Sequence, residues 1–289
     1  MLNRHGEIYL RQNEQKIYIL IAAIVVICFI IKSLMGKSVM AISVSIICFN
    51  ECKIIRKCLE SVKWVDEIVI LDSFSTDSTI DICREYTDKI YQHKFDGHIQ
   101  QKNRAIDYCS NDWIFCIDAD EVITNELRQS IIAIDLKKTE FKGFYVSRRV
   151  FYLEKWINHG GWYPDNKIRF FDRRFGMWKG MNPHDSVSVN GKTSRLIGDL
   201  LHYSYKDVSA HLSQINNFTE IQSKGYYKKG MKPYIFNLTL RPFYKFIKMY
   251  IIKFGFLDGK RGFIIAAIGA FYVFMKFVKL YELGLHSKK

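Results

Sequence analysis

A chain of 289 residues, 48% of them hydrophobic, can build one large domain with appendages, which excludes an intrinsically disordered protein. Its seven cysteines (Cys28, Cys48, Cys52, Cys58, Cys83, Cys109 and Cys116) include no CxxC pair and fall mostly in apolar runs; this excludes a disulfide or zinc framework and implies reduced, buried thiols. The net charge of +14 is concentrated between Lys224 and Lys289, which carries +12 of it among many Phe, Tyr and Ile residues, so an anionic membrane surface is the expected partner and no nucleic acid is expected.

Ile17 to Ile31 is an uncharged apolar run between Lys16 and Lys32. As a helix it is roughly 22 Å long, against a hydrocarbon core of roughly 30 Å. Snorkelling lysines and Leu34-Met35 can extend it, and it lacks an evident small-residue cleavage site, so residues 1–39 read as an extension with a hydrophobic anchor. Arg4, Arg11 and Lys16 on one side face Lys32 and Lys37 on the other, which leaves its orientation open. Met40 stands just before the first strand, so whether the extension is translated is open too.

Residues 40–208 read as one domain. Strands are expected at Ile42–Cys48, Glu67–Leu71, Lys89–Gln92 and Trp113–Ile117. Helices are expected around Ile54–Val62 and at Thr79–Tyr86, Gln100–Cys109 and Asn125–Lys137. This alternation implies a parallel α/β sheet whose ligands bind at the carboxyl ends of the strands. After Gly143, short strands and Gly/Pro/Asn/Asp turns up to about Tyr205 imply a mixed, partly antiparallel extension where an acceptor can be held. Residues 209–289 read as a helical, membrane-associating tail. In it Arg241, Lys245 and Lys248 share one stripe beneath Phe243, Phe246, Ile247, Tyr250 and Ile251. Phe263 to Met275 is charge-free but short, which favours an interfacial or re-entrant helix over a spanning one.

The strand ends carry the chemistry. Asp118-Ala119-Asp120-Glu121 follows the fourth strand. Two acids so spaced can hold Mg²⁺ or Mn²⁺ against a diphosphate, because these ions take only one or two protein carboxylates and leave positions for water and phosphate oxygens. A solvated acidic cap is the plainer alternative. The first strand runs into Asn50-Glu51, and the second into Asp72 and a hydroxyl-rich loop in which Thr76 or Asp77 can cap a helix. Asp72 can accept hydrogen bonds from a base imide or ribose, and Lys102 can add a cation for the diphosphate. Downstream, His184 and His202 can orient a metal or a base, or serve as structural histidines. Trp156, Trp162 and Tyr163 can stack on sugar rings or fill a core; Arg169, Arg173 and Arg174 can pair with acceptor phosphates or cover the surface.

The segments Ile42–Glu51 (ISVSIICFNE), Asp66–Thr79 (DEIVILDSFSTDST), Gln101–Asn103 (QKN) and Asp112–Glu121 (DWIFCIDADE) resemble successive blocks of the family-2 glycosyltransferases with the GT-A fold. The likeness to bacterial lipopolysaccharide core β-1,4-glucosyltransferases continues through Gly160–Asp165, Arg169–Arg174, His184-Asp185, His202–Tyr205 and Gly255–Gly259. It implies a mixed, mainly parallel GT-A sheet flanked by helices. It also implies inverting transfer of a hexose, glucose from UDP-glucose, to an inner-core sugar of lipopolysaccharide or lipooligosaccharide at the cytoplasmic face of the inner membrane. Carried over by residue, Asp72 would contact the uridine and Asp118 the ribose of the nucleotide sugar; Asn50, Glu51 and Lys102 are further candidate contacts to it from their place at the strand ends and on the following helix. Carried over likewise, Asp120 would hold Mg²⁺ or Mn²⁺ and Asp185 would take the acceptor proton; from the residues alone, His202 is a candidate further ligand and Trp162, Tyr163 and Arg169 are candidate acceptor contacts. Two positions depart from the family: Asp185 stands where Glu is usual, one methylene shorter, and Phe74 where Gly is usual. Transfer to a polyprenyl phosphate or other glycolipid, and a non-catalytic membrane-surface protein on a degenerate transferase fold, are the alternatives.

Overall fold

The computed structural model describes residues 41–181, 184–205 and 207–286, so the expected anchor at residues 17–31 lies outside the described residues. The first half runs β1 (Ile42–Cys48), α1 (Ile55–Val62), β2 (Glu67–Asp72), α2 (Thr79–Arg84), β3 (Ile90–Gln92), α3 (His98–Asp107) and β4 (Trp113–Asp118). β1, β2 and β4 are largely apolar and almost wholly buried, as central strands of a helix-covered parallel sheet must be. α1 presents Ile55, Cys58, Leu59 and Val62 at helical spacing, and all four are buried.

The second half runs β5 (Glu121–Ile123), α4 (Asn125–Ile132), β6 (Phe141–Tyr152), β7 (Lys155–Trp156), β8 (Asp165–Asp172), β9 (Gly176–Met181), β10 (His184–Val189) and β11 (Lys192–His202). α4 starts on Thr124, whose hydroxyl accepts from Leu127 N at 3.3 Å, and stops five residues short of the expected end. The cause is Asp135: its side chain accepts from Lys137 N at 3.1 Å and its carbonyl from Thr139 N at 3.0 Å, a turn that competes with continued helix.

Among the described residues the main sheet has the order β3-β2-β1-β4-β8-β6-β11-β5, with β7 on β6, and β9-β10 form a separate hairpin. β1 to β4 pair in parallel, with Cys48 level with Asp72 and Ile47 level with Asp118, so three strand ends open on one edge. β8 runs antiparallel between β4 and β6, while β11 lies parallel to β6 and brings His202 opposite Glu121 of β5. Of the six described cysteines five are buried, Cys52 is half-buried, and none is paired.

The tail folds as α5 (Val208–Lys228), α6 (Ile235–Leu238), α7 (Leu240–Ile247), a π turn (Lys248–Ile252), a 3₁₀ turn (Gly255–Asp258) and α8 (Lys260–His286). Asp258 fastens it to the sheet domain by accepting from Asn158 N at 3.2 Å and His159 N at 2.8 Å. Gly262 is obligatory there, because a Cβ would meet Gly255 O at 1.7 Å. The apolar run Phe263–Met275 differs from expectation: it is part of a 27-residue helix, long and apolar enough to cross a membrane. α5 packs along that helix, however, and Lys279 donates to Asn216 O at 2.7 Å and pairs with Glu220 at 3.6 Å. Such polar groups are costly in hydrocarbon, which opposes a spanning placement.

Candidate active site

The carboxyl ends of β1, β2 and β4 open into a cleft of about 740 Å³ that Glu51, Lys102, Asp118, Asp120, Arg169, Asp185 and His202 line. At its centre the Lys102 ammonium, from α3, stands 3.2 Å from Asp118 Oδ1 and 3.0 Å from Asp185 Oδ2, over the Trp178 ring at 4.2 Å. Arg169, from β8, places Nη2 3.1 Å from Asp118 Oδ2 and 2.9 Å from Glu121 Oε1. Burial pushes the Asp118 carboxyl up, but the Lys102 ammonium and then the Arg169 guanidinium, with His202 behind them, hold it well below the usual carboxylate range. Asp118 is therefore a fixed anion.

Asp120 takes a different partner. Tyr203 N donates to Asp120 O at 3.0 Å, which docks the end of β11 here, and His202 Nε2 comes to 3.2 Å from Asp120 Oδ2. His202 Nδ1 is buried without a hydrogen-bond partner. Asp120 and His202 thus offer one carboxylate and one imidazole on the cleft wall, and among the described residues no cluster of three His, Cys, Asp or Glu forms. Two protein donors suit Mg²⁺ or Mn²⁺ bridging to phosphate, since such ions keep most positions for water and substrate oxygens. The residues fit the ion.

The two loops beside this centre are stitched together. Asn50 N donates to Ser75 Oγ at 2.9 Å, Thr76 N to Asn50 Oδ1 at 2.8 Å, and Glu51 N to Thr79 Oγ1 at 2.8 Å. Asp77, not Thr76, serves the start of α2, accepting from Thr79 N at 3.0 Å. Asp72 is wholly buried and accepts from Ser75 N at 2.9 Å, from the Ser75 hydroxyl and from Gln92 Nε2 at 3.0 Å. Asp72 thus shapes the loop through these hydrogen bonds. Phe74 in that loop is half-exposed and adopts φ 64°, the left-handed region that glycine enters freely. Phe74→Gly is expected to raise stability by about 1 kcal/mol through relief of that strain, read as a higher urea midpoint with an unchanged slope; a lower midpoint would show that the ring's packing outweighs the strain.

Residues 43–191 match the family model Glycosyl transferase family 2. The chain belongs to that family. This family-2 glycosyltransferase is 30% identical over 259 residues to an uncharacterised glycosyltransferase of Rickettsia typhi, covering 86% of this chain and 89% of that protein. It is 29% identical over 253 residues to the lipopolysaccharide core biosynthesis glycosyltransferase LpsC of Rhizobium meliloti, covering 83% of this chain and 92% of that protein. Glucosyl-3-phosphoglycerate synthase from Mycobacterium tuberculosis, solved with Mn²⁺ and UDP-glucose, is similar at 21% identity and a TM-score of 0.34, over 39% of this chain and 45% of that one. The sheet with its flanking helices is the GT-A fold, as the motifs implied.

The glycosyltransferase departs from expectation on the acceptor side. Arg169 is 3% exposed and is the counter-ion of two carboxylates on the cleft lining. Arg173 donates to Cys109 O at 2.6 Å, and Arg174 pairs with Asp172 at 2.6 Å and Asp112 at 3.1 Å, so these two are also committed. Trp162 packs edge-on against Tyr152 at 5.5 Å and His211 at 5.8 Å; the Tyr163 hydroxyl donates to Asp199 at 2.9 Å. Neither ring lines the cleft: Trp162 packs into the joint between sheet domain and tail, and Tyr163 lies against Asp199 of β11 and Arg149 of β6. Trp156 packs on Phe151 and Tyr203. The side chain of His184 lies outside the described residues. Missed were Glu121, fully buried on Arg169, and Phe49 and Phe95, about half-exposed on the cleft lining. Phe49 had a signal, since it directly follows β1.

Proposed function

We propose that this glycosyltransferase transfers glucose from UDP-glucose, with inversion, to an inner-core sugar of lipopolysaccharide or lipooligosaccharide at the cytoplasmic face of the inner membrane. The observation that carries the reading is the meeting of two acid sets on one cleft: Asp118 and Asp120 on one side, and Asp185 across Lys102. Asp118 accepts from the donor ribose, and Lys102 moves from the two carboxylates towards the incoming diphosphate. Asp120 and His202 would hold a divalent ion, which when bound would supply a Lewis acid for the charge that develops on the leaving diphosphate. Released from Lys102, Asp185 takes the proton of the acceptor hydroxyl as that oxygen attacks C1 from the face opposite the diphosphate. The similarity to LpsC, a glycosyltransferase of lipopolysaccharide core biosynthesis, supports an acceptor of the lipopolysaccharide-core class.

In this reading residues 40–208 are the catalytic domain and 209–289 the membrane-associating tail. Large exposed side chains recur along one face of α8 at Phe263, Phe271, Phe274, Tyr281 and Leu285, which supports a helix lying in the interface. The same face suits a polyprenyl-phosphate acceptor, and product analysis separates the two. The reading is tested with a panel of UDP-sugars plus Mn²⁺ or Mg²⁺, followed by UDP release. UDP-glucose is expected to turn over fastest and chelation to stop it; preference for an N-acetylhexosamine, or turnover indifferent to chelation, would overturn donor or metal respectively. No metal-dependent UDP binding at all would leave a degenerate, non-catalytic fold.

A further inference from the structure

The tail holds a group of cations that sugar transfer does not use. The Arg241 guanidinium of α7 lies 5.3 Å, and the Lys276 ammonium of α8 5.1 Å, from the ring centre of Phe277, which is buried between them. Lys276 also lies 5.1 Å from the ring centre of Tyr226, on α5. The Lys245 stem crosses α8 at Gly269, with Cε 3.7 Å from where a Cβ would stand. Burial, then the charges of Lys248 and Lys276, push the Lys245 ammonium below its ordinary value. Arg241, Lys245, Lys248 and Lys276 therefore converge where α7 meets α8.

Among the described residues no carboxylate pairs with any of the four. Lys279, three residues beyond Lys276, is by contrast held by Glu220 and Asn216. Four like charges repel one another, and the half-buried Lys245 and Lys276 lose hydration as well, so binding of an anion among them is favoured. The surroundings indicate which. Arg241 and Lys248 share the outer surface of α7 and the π turn with Leu240, Tyr244 and Ile251, which are 65%, 58% and 49% exposed. Cations interleaved with large apolar side chains match the depth of lipid phosphates, where stems and rings enter the acyl boundary while charges meet headgroups.

We propose that Arg241, Lys245, Lys248 and Lys276 form a binding site for the phosphate of an anionic membrane lipid. The site rests on the reading that the enzyme works at a membrane face, and it fixes which surface of the tail meets that face. Lipid phosphate, not nucleotide, is its ligand.

The test is co-sedimentation of the full chain with phosphatidylcholine vesicles, with and without phosphatidylglycerol. Wild type is expected to prefer the anionic vesicles. Lys245→Gln/Lys276→Gln is expected to lower that partition about 25-fold, about fivefold for each charge removed. A charge-matched control on exposed tail lysines, Lys228→Gln/Lys229→Gln, is expected to lose less than about fivefold. Lys245→Arg/Lys276→Arg keeps the charge and should bind as wild type; loss equal to the Gln pair would assign the effect to packing and overturn the site. Equal loss in the control would overturn it in favour of diffuse attraction, and equal wild-type binding to neutral vesicles in favour of apolar insertion alone. Saturable binding of inorganic phosphate without vesicle binding would overturn the lipid source. Metal-dependent UDP release, measured on the same wild-type preparation, reports separately on the transferase reading.

Discussion

Asp185→Asn is expected to lower sugar transfer about 10²- to 10⁴-fold, the usual worth of a positioned general base. UDP binding in the presence of Mn²⁺ should stay within about twofold, because Asn keeps the shape and can still accept from Lys102. The two readouts are kcat at saturating donor and acceptor, and a calorimetric UDP titration. Full transfer in Asp185→Asn would remove this residue from the base role; lost UDP binding would move it to the donor side. The missing methylene relative to the family's usual Glu does not strand the carboxylate, since Oδ2 reaches Lys102 at 3.0 Å and that ammonium is 3.2 Å from Asp118. Asp185→Glu is accordingly expected to retain transfer. The position of Asp185 is set from α3: Asn103 Nδ2 donates to Trp178 O and Trp178 N to Asn103 Oδ1, both at 3.0 Å, clamping the hairpin that carries it. Gln101, in turn, donates to Ser73 Oγ at 3.0 Å in the donor loop. Three consecutive residues of one helix thus hold the donor loop, the acid pair and the hairpin in one frame.

That frame explains what the chain disclosed on inspection and what it hid. β1, β2 and β4 were legible because strands buried on both faces read as continuous apolar runs between turn signals, and parallel pairing then places Asn50, Asp72 and Asp118 at one edge. The contact of Lys102 with Asp118 and Asp185 was not legible, since it spans 83 residues to the second carboxylate and depends on where the hairpin lands. The partners that Asp72 takes were not legible for a local reason. A carboxylate at a strand end can face a ligand or turn back on its own loop, and Ser75 and Gln92 decide for the loop. The partners of Arg169 were hidden for a topological reason: β8 inserts antiparallel beside β4, and pairing of Phe115 with Phe170 carries the neighbouring arginine inward to Asp118 and Glu121. In the tail the charge-free run appeared short because Lys276 seemed to end it, whereas Lys276 sits on aromatic rings inside a continuing helix.

Arg169→Met is expected to cost about 3–5 kcal/mol of stability, the range for removing one partner from a buried ion pair. Glu121 is fully buried; besides Arg169 it accepts from Asp118 N at 2.9 Å and has Arg148 at 3.6 Å. Without the Arg169 guanidinium its charge keeps only that longer, partly solvated partner. Urea unfolding measures the loss, and Arg169→Met/Glu121→Gln should recover part of it because the orphaned charge is then gone while Gln still accepts from Asp118 N. No recovery would mean that Arg169 acts through packing on Trp178, whose ring centre lies 5.3 Å away. Function should suffer separately from stability. Asp118 loses one of the groups that hold it ionised, and its backbone is held by the same Glu121, so donor affinity should fall in any Arg169→Met protein that remains folded. Arg169 also leaves Nε and Nη1 buried without partners, a cost that apolar packing at this position would avoid. An ion pair kept in spite of that cost serves orientation more than stability, and what Arg169 and Glu121 orient is the carboxylate of Asp118 on the wall of the donor cleft.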